Sequence, residues 1–190
     1  MTQWLKCAVK MEVNFRANLV NKTTVKKRGW FSGHYKPKEA AFIKLDLQSE
    51  ADVQVLNRLK KLWTNSFVGQ IYHDVTKTSC PVEVYALTTQ ADKFEKLEPQ
   101  KILGVAETIG DDSYIKLEYL QTHPKYIYDE DKKVRKYAGV GTVLLNQLKN
   151  MPDMRQIKLI SIFSALDFYE KNGFKLANNL EESVLVWRKE

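Results

Sequence analysis

Hydrophobic and polar residues alternate along several short stretches of the chain, a pattern typical of β-strands that bury one face. In residues 6–15, Cys7, Val9, Met11, Val13 and Phe15 would share one face of such a strand. Further strands are predicted at residues 41–45, 82–89, 102–109, 113–122, 157–162 and 184–187.

Apolar residues at helical spacing predict four helices between these strands. The helices are predicted at residues 49–63, 66–75, 142–148 and 165–172. Ser49 can cap the first of them. Near the N-terminus, residues 18–24 are predicted as a turn and further strand, and residues 26–38, which contain Gly33 and Pro37, as a basic loop with room for a short strand.

A glycine-containing turn at residues 136–141 joins the strand at 113–122 to the third helix. Gly139 and Gly141 lack the Cβ atoms that would keep an anion away from the backbone, and Lys136 adds a positive charge beside them. The first amides of a helix are unpaired, and the helix dipole makes this end positive. The turn therefore predicts a site for a phosphorylated cofactor.

Two common nucleotide-binding motifs do not fit this turn. A Rossmann fingerprint needs a third glycine where this chain has Leu144. A Walker loop needs Gly-Lys-Ser or Gly-Lys-Thr, whereas Gly141 is followed by Thr142 and Val143. The remaining interpretation is a diphosphate cradle of another kind.

A second motif follows the strand at 157–162. Ala165, Phe168, Tyr169, Gly173 and Phe174 stand at positions 1, 4, 5, 9 and 10 of a segment that predicts a short helix with Gly173 as its left-handed C-cap. Together with the earlier strand and the glycine turn, this order of motifs resembles the GNAT superfamily of acetyl-CoA-dependent N-acetyltransferases. The resemblance covers residues 113–174, and flanking elements extend it to about 39–190.

The resemblance implies an α/β (α+β) fold with a mixed, mostly antiparallel central sheet flanked by helices. The chain departs from the family pattern at three places. Lys136 stands where the family usually has Gln or Arg, Ile162 stands where an Asn often precedes the second motif, and residues 125–134 form an insertion before the glycine turn. Lysine would meet a phosphate as a point charge rather than through the two-pronged guanidinium of arginine.

The resemblance also implies which residues hold acetyl-CoA as co-substrate. Backbone amides at the end of the strand before the turn would polarise the thioester. The cofactor-binding residues predicted in this way are Leu120, Gln121, Thr122, Arg135, Lys136, Tyr137, Ala138, Gly139, Val140, Gly141 and Thr142. The plain alternative is a central strand followed by surface cations.

Three residues are predicted to move protons. Tyr169 matches the tyrosine that often protonates the sulfur of coenzyme A in the family, although it could simply fill the core beside Phe168. Glu118 and Glu107 lie within apolar strands, where burial raises the pKa of a carboxyl group and suits it to act as a base, unless each serves a structural pair. His123 is a further candidate base that could instead just end its strand before Pro124.

A chain of 190 residues suits one domain, or one domain with an extension. We assign residues 1–38 to a basic N-terminal extension that packs on a GNAT-like domain at 39–190. The chain shows no long apolar run and no signal-peptide pattern, and Cys7 and Cys80 match no metal or redox spacing. A cytoplasmic protein without a metal and without membrane contact is therefore expected.

The positive charge is concentrated near the N-terminus. The whole chain carries +7, and residues 1–45 alone carry ten Lys or Arg against Glu12 and Glu39. Such asymmetry predicts either contact with an anionic partner such as RNA or a solvated surface without a partner.

The GNAT resemblance and the charge pattern leave two functions open. The first is an N-acetyltransferase that moves an acetyl group from acetyl-CoA to a primary amine, on a small molecule, a protein or an aminoacyl-tRNA. The alternative is an acyl-CoA-binding or RNA-binding module on the same fold that transfers nothing.

Overall fold

The computed structural model describes residues 17–29, 33–64, 66–77, 81–124, 135–177 and 183–190. The strands in these ranges are β1 (Asn18–Arg28), β2 (Tyr35–Lys44), β3 (Val82–Thr88), β4 (Ile102–Gly110), β5 (Tyr114–Thr122), β6 (Tyr137–Ala138), β7 (Gln156–Ile160), β8 (Lys175–Leu176) and β9 (Val184–Arg188). The α-helices are α1 (Glu50–Leu62), α2 (Val68–Lys77), α3 (Val140–Lys149) and α4 (Leu166–Lys171).

These strands form one sheet in the order β6-β1-β2-β3-β4-β5-β7-β9-β8. Neighbouring strands run antiparallel, except that β5 and β7 run parallel and are connected through α3. The predicted fold class, a mixed and mostly antiparallel sheet flanked by helices, is confirmed.

Helices cover both faces of the sheet and divide the core in two. On one face, α3 and α4 pack over a cluster that includes Leu144, Leu145 and Leu148. On the other face, α1 and α2 pack over a cluster that includes Leu56 and Ile71. Within the described ranges, no helix is long and apolar enough to cross a membrane.

Helix α1 begins where the sequence predicts, although the Ser49 side chain makes no capping hydrogen bond. Ser49 is its N-cap, and its carbonyl accepts the amides of Asp52 and Val53, both at 3.1 Å. Acidic residues lie in the first turn and lysines in the last, where each complements the helix dipole.

The region predicted as a basic loop is instead most of a β-hairpin. β1 pairs with β2 from Asn18 to Arg28, so residues 26–28 and 35–38 are strand. The division predicted at residue 38 falls inside β2, and the sheet continues through it. The predicted strand at 6–15 and the insertion at 125–134 lie outside the described residues.

A close approach between α3 and the sheet depends on Gly104 of β4. A Cβ atom at this position would lie 2.6 Å from the Leu144 side chain and 3.2 Å from both the Val140 side chain and the Gln121 carbonyl oxygen. These neighbours are buried or belong to the backbone, so they have little room to move. Gly104 therefore sets how closely the start of α3 lies against β4 and β5.

We predict that Gly104→Ala destabilises the protein by about 1–3 kcal/mol because the added methyl group overpacks this contact. Urea unfolding followed by circular dichroism measures the change. Gly69→Ala is the matched control, since its added Cβ meets only the flexible Lys60 side chain at 3.9 Å. Equal unfolding midpoints for the two variants would contradict the assignment.

Candidate active site

A cavity of about 440 Å³ lies between the start of α3, the end of β5 and the start of α4. We call it the cleft. It is lined by Leu120, Thr122, Arg135, Tyr137, Ala138, Gly139, Val140, Gly141, Thr142, Ser164, Ala165, Phe168 and Tyr169. Three segments that are distant in sequence therefore meet around one space.

The start of α3 presents backbone amides to the cleft. Gly139 is the N-cap, with a left-handed φ of 70°, and its carbonyl accepts the amide of Val143 at 2.9 Å. The amides of Val140, Gly141 and Thr142 precede this first intrahelical hydrogen bond. This end of the helix is positive and suits an anion.

The two glycines of the turn have different roles. A Cβ atom on Gly139 would meet nothing within 4 Å, so this position opens onto free space. A Cβ atom on Gly141 would lie 3.0 Å from the Phe168 ring, so this glycine lets α4 pack against the start of α3. Gly139 clears room for a ligand, whereas Gly141 brings the second motif close to it.

In the part of the chain that the structure describes, the side of β5 that faces β7 has no strand partner beyond Leu117. β5 and β7 pair over four residues that end at Leu117, whereas β4 pairs with β5 as far as Thr122. The amide of His123 donates to the Leu103 carbonyl of β4 at 2.9 Å. Because successive residues of a strand direct their amides to opposite sides, the Leu120 amide points away from β4 and into the gap.

The second motif supplies one wall of the cleft. Ser164 and Ala165 belong to a short 3-10 turn, and α4 follows directly. The helix ends at Gly173, which has a φ of 78° as predicted for a left-handed cap. The ring of Tyr169 packs edge-on against Phe168 and Phe174, with centroid distances of 5.1 and 5.6 Å.

Tyr169 is a neutral proton donor at the edge of this wall. Burial raises the pKa of Tyr169 to about 12. The phenol is therefore protonated at neutral pH, and it can donate to a thiolate or another basic atom in the cleft.

A β-bulge at Glu118 changes which face the strand residues of β5 point to. Glu107 pairs with Tyr119 and Thr108 pairs with Leu117, so Glu118 is the extra residue. Leu117 belongs to the core beneath α3, whereas Tyr119 packs in the core beneath α1 and α2. Strict alternation would have placed both on the same face.

Glu107 lies opposite Tyr119, on the face covered by α1 and α2. Its side chain is 1% exposed, and its Oε2 has no hydrogen-bond partner among the described residues. Burial, followed by the negative charges of Asp74 on α2 and of Glu118, raises the pKa of Glu107 to about 8. At neutral pH this carboxyl group is therefore mostly protonated, and its ionised fraction, which grows as the pH rises toward 8, is the form that can accept a proton.

The other two candidate bases have defined contacts. Glu118 accepts from Lys116 at 2.7 Å, and its side chain is 24% exposed. The His123 ring lies 5.3 Å from the Trp63 ring at the end of α1. Unlike Glu118, Glu107 has a carboxylate oxygen without a hydrogen-bond partner among the described residues.

The sequence matches no protein-family model and no curated relative. Solved structures do match the fold. The GNAT domain of S. lividans PAT is 10% identical with a TM-score of 0.56, over 88% of this chain and 97% of that one. Tetrahymena GCN5 is 12% identical with a TM-score of 0.51, over 75% and 91% of the two chains.

The chain has the GNAT acetyltransferase fold. A further match, the PaiA N-acetyltransferase from Thermoplasma acidophilum, was solved in complex with coenzyme A. It is 13% identical with a TM-score of 0.49, over 79% of this chain and 99% of that one.

On this GNAT fold, most of the predicted cofactor-binding residues meet in the cleft. Gln121 and Lys136 do not line it. Gln121 points to the α1–α2 side, where its Oε1 accepts the Phe67 amide at 3.3 Å. The ammonium group of Lys136 lies 5.7 Å from the Tyr137 ring centroid. Contact between Lys136 and a diphosphate stays a prediction.

Four residues of the site were not assigned from the sequence. Ser164, Ala165 and Phe168 line the cleft, and the last two belong to the second motif, which could have indicated them. Asp74 acts on Glu107 from α2, and no local signal links these two residues across 33 positions of sequence.

We predict that Glu107→Gln alters how stability depends on pH. Between the unfolded pKa of 4.5 and the folded pKa of about 8, the folded protein holds a proton that the unfolded chain has released. This contribution to stability is complete below the lower value and is lost as the pH rises to the upper one. The variant should therefore lose less stability than the wild type between pH 5 and pH 9.

Urea unfolding at a series of pH values measures this difference. Glu98→Gln is the control, since its carboxylate is exposed, paired with Lys101 and not among the groups that shift the pKa of Glu107. Parallel pH profiles for the wild type and Glu107→Gln would show that the Glu107 carboxyl group is not held protonated by the fold.

Proposed function

We propose that the protein is an N-acetyltransferase that moves an acetyl group from acetyl-CoA to a primary amine. The observation that carries the proposal is the uncovered side of β5 at Leu120, which opens into the same cleft as the amide-lined start of α3. One end of the cleft suits a diphosphate, and the other offers an N–H donor at a backbone position that lacks a strand partner.

The residues that line the cleft suit the successive parts of acetyl-CoA, from the diphosphate to the acyl group. The amides that begin α3 and the Arg135 side chain would hold the diphosphate, with the open space at Gly139 allowing close approach. Acetyl-CoA, when bound, supplies an acyl–sulfur bond that an amine can attack. The Leu120 amide would donate a hydrogen bond to the acyl oxygen as negative charge develops there.

Proton transfer is divided between the two faces of the sheet. Glu107, on the α1–α2 face, would accept the proton that the amine loses as the new carbon–nitrogen bond forms. Tyr169, on the α3–α4 face, would donate its phenolic proton to the sulfur as the carbon–sulfur bond breaks. For both groups to act on one reacting centre, the acetyl group would lie in the gap between β5 and β7, since Glu107 itself does not line the cleft.

The acceptor is predicted only as a primary amine, and its identity is not assigned. A small amine, a protein amine and the aminoacyl group of a tRNA all present a primary amine and remain candidates. A cytoplasmic location and the absence of a metal requirement also stay predictions.

Release of free coenzyme A tests the proposal. Purified protein is incubated with acetyl-CoA and a panel that includes polyamines, lysine-containing peptides and aminoacyl-tRNA, and thiol release is followed with a chromogenic reagent. We expect amine-dependent release that saturates with acetyl-CoA. Binding of acetyl-CoA without release for any amine would favour the non-catalytic alternative.

We predict that Tyr169→Phe lowers kcat by about 10²–10⁴-fold, the usual contribution of a general acid, because the leaving thiolate then lacks a proton donor. The dissociation constant for acetyl-CoA should change little, since the ring packing against Phe168 and Phe174 is retained. Steady-state kinetics with calorimetry on the same samples separates the two quantities. An unchanged kcat would assign Tyr169 a packing role alone.

A further inference from the structure

The outer part of the β1–β2 hairpin is a basic ribbon that extends past its neighbour strand. We define the basic ribbon as residues 22–28 of β1 and 35–39 of β2. β3 pairs with β2 only from Ala41 to Lys44, so one edge of the ribbon has no strand beside it among the described residues. The ribbon contains six Lys or Arg residues and one acidic residue, Glu39.

Three lysines of the ribbon share one face. Lys27 pairs directly with Lys36, and Lys38 lies two residues further along β2, about 7 Å away at the strand rise per residue. All three side chains are exposed. Like charges placed directly opposite each other on a sheet are destabilising, so the fold gains nothing from this arrangement by itself.

The described residues provide no carboxylate partner for these lysines. The salt bridges in these ranges involve Lys44, Lys101, Lys116, Lys171 and His73, all outside the ribbon. An anion that bound between Lys27, Lys36 and Lys38 would relieve their mutual repulsion. The ribbon therefore offers a positive surface that no carboxylate of the described ranges compensates.

The three lysines face the same side of the sheet as the cleft. Lys27 also pairs with Tyr137 of β6, and residues directly opposite each other project to the same face. Tyr137 lines the cleft. A ligand on the ribbon would therefore lie beside the proposed acetyl-CoA site, about one strand spacing away.

Cations on both faces indicate a ligand with many negative charges. Lys22 pairs with Ala41 and Lys26 with Pro37, so these two lysines project to the face opposite Lys27 and are also exposed. A single phosphate, such as the 3′-phosphate of coenzyme A, could contact only one of the faces. A polynucleotide repeats its phosphates along the chain, so it can present negative charge to both faces of a two-stranded ribbon.

We propose that the basic ribbon is a nucleic-acid-binding surface that contacts the phosphate backbone of an RNA beside the cleft. The proposal goes beyond the proposed function, and its test measures binding without transfer. The two can therefore fail separately. If both hold, the ribbon would bring an amine carried by the RNA toward the open side of β5.

Fluorescence anisotropy with a labelled tRNA transcript tests the proposal on the 190-residue chain. The variant combines Lys27→Gln, Lys36→Gln and Lys38→Gln. We expect tRNA affinity at low salt to fall roughly 100-fold in this variant. The slope of log affinity against log salt should shrink by about 2–3, because fewer phosphate contacts form and fewer counterions are released on binding.

The matched control combines Lys61→Gln, Lys93→Gln and Lys175→Gln, which removes three exposed lysines from other parts of the surface. Urea unfolding of both triple variants shows whether the folds are retained. Equal losses of tRNA affinity in the two triple variants, or no loss in either, would overturn the proposal.

Two further experiments identify the chemical class of the ligand. Polyglutamate at equal total charge should displace tRNA poorly, and equal displacement would overturn the assignment to nucleic acid. Titration with coenzyme A and with dephospho-coenzyme A gives the second comparison. If the ribbon variant weakens only coenzyme A and leaves tRNA binding intact, the ribbon binds the 3′-phosphate and the proposal is wrong.

Discussion

The site depends on one break in strand pairing inside an otherwise continuous sheet. Backbone N–H and C=O groups in a protein interior are nearly always hydrogen-bonded. Where a central strand loses its neighbour, its backbone groups on that side need another hydrogen-bond partner. β5 loses β7 after Leu117 while β4 still pairs with it on the other side. The Leu120 amide is therefore held rigidly by one neighbour and directed into the gap left by the other. A ligand oxygen can satisfy it without any movement of the backbone.

The remaining features of the site depend on what is packed around this gap. Gly104 lets α3 lie close to β4 and β5, which brings the positive end of the helix to the same cleft. Gly141 lets Phe168 reach the start of α3 and so places Tyr169 on the wall. The bulge at Glu118 turns Tyr119 toward α1 and α2, opposite the buried Glu107. The proposed acid and base thus lie on different faces, Tyr169 against two aromatic rings and Glu107 within the field of two other carboxylates.

Features with a local cause could be predicted from the sequence, and those set by pairing between distant strands could not. Apolar periodicity and the left-handed cap at Gly173 indicated the correct helices, because each acts within a few residues. The glycine turn and the second motif indicated most of the cleft for the same reason. The bulge at Glu118 depends on register with β4, and the influence of Asp74 on Glu107 depends on how α2 packs. Residues 26–38 were predicted as a loop, since the consecutive basic residues 26–28 give no hydrophobic alternation that would indicate a strand.

The most direct test of the account is isothermal titration calorimetry of the protein with acetyl-CoA. The amides that begin α3 and the uncovered amide of Leu120 together predict saturable binding of one molecule, and binding should weaken sharply in Gly139→Val, where a side chain would enter the open part of the cleft and strain the left-handed backbone. A titration of the wild-type protein with no heat and no saturation would contradict the central claim, as would equal affinity in the variant.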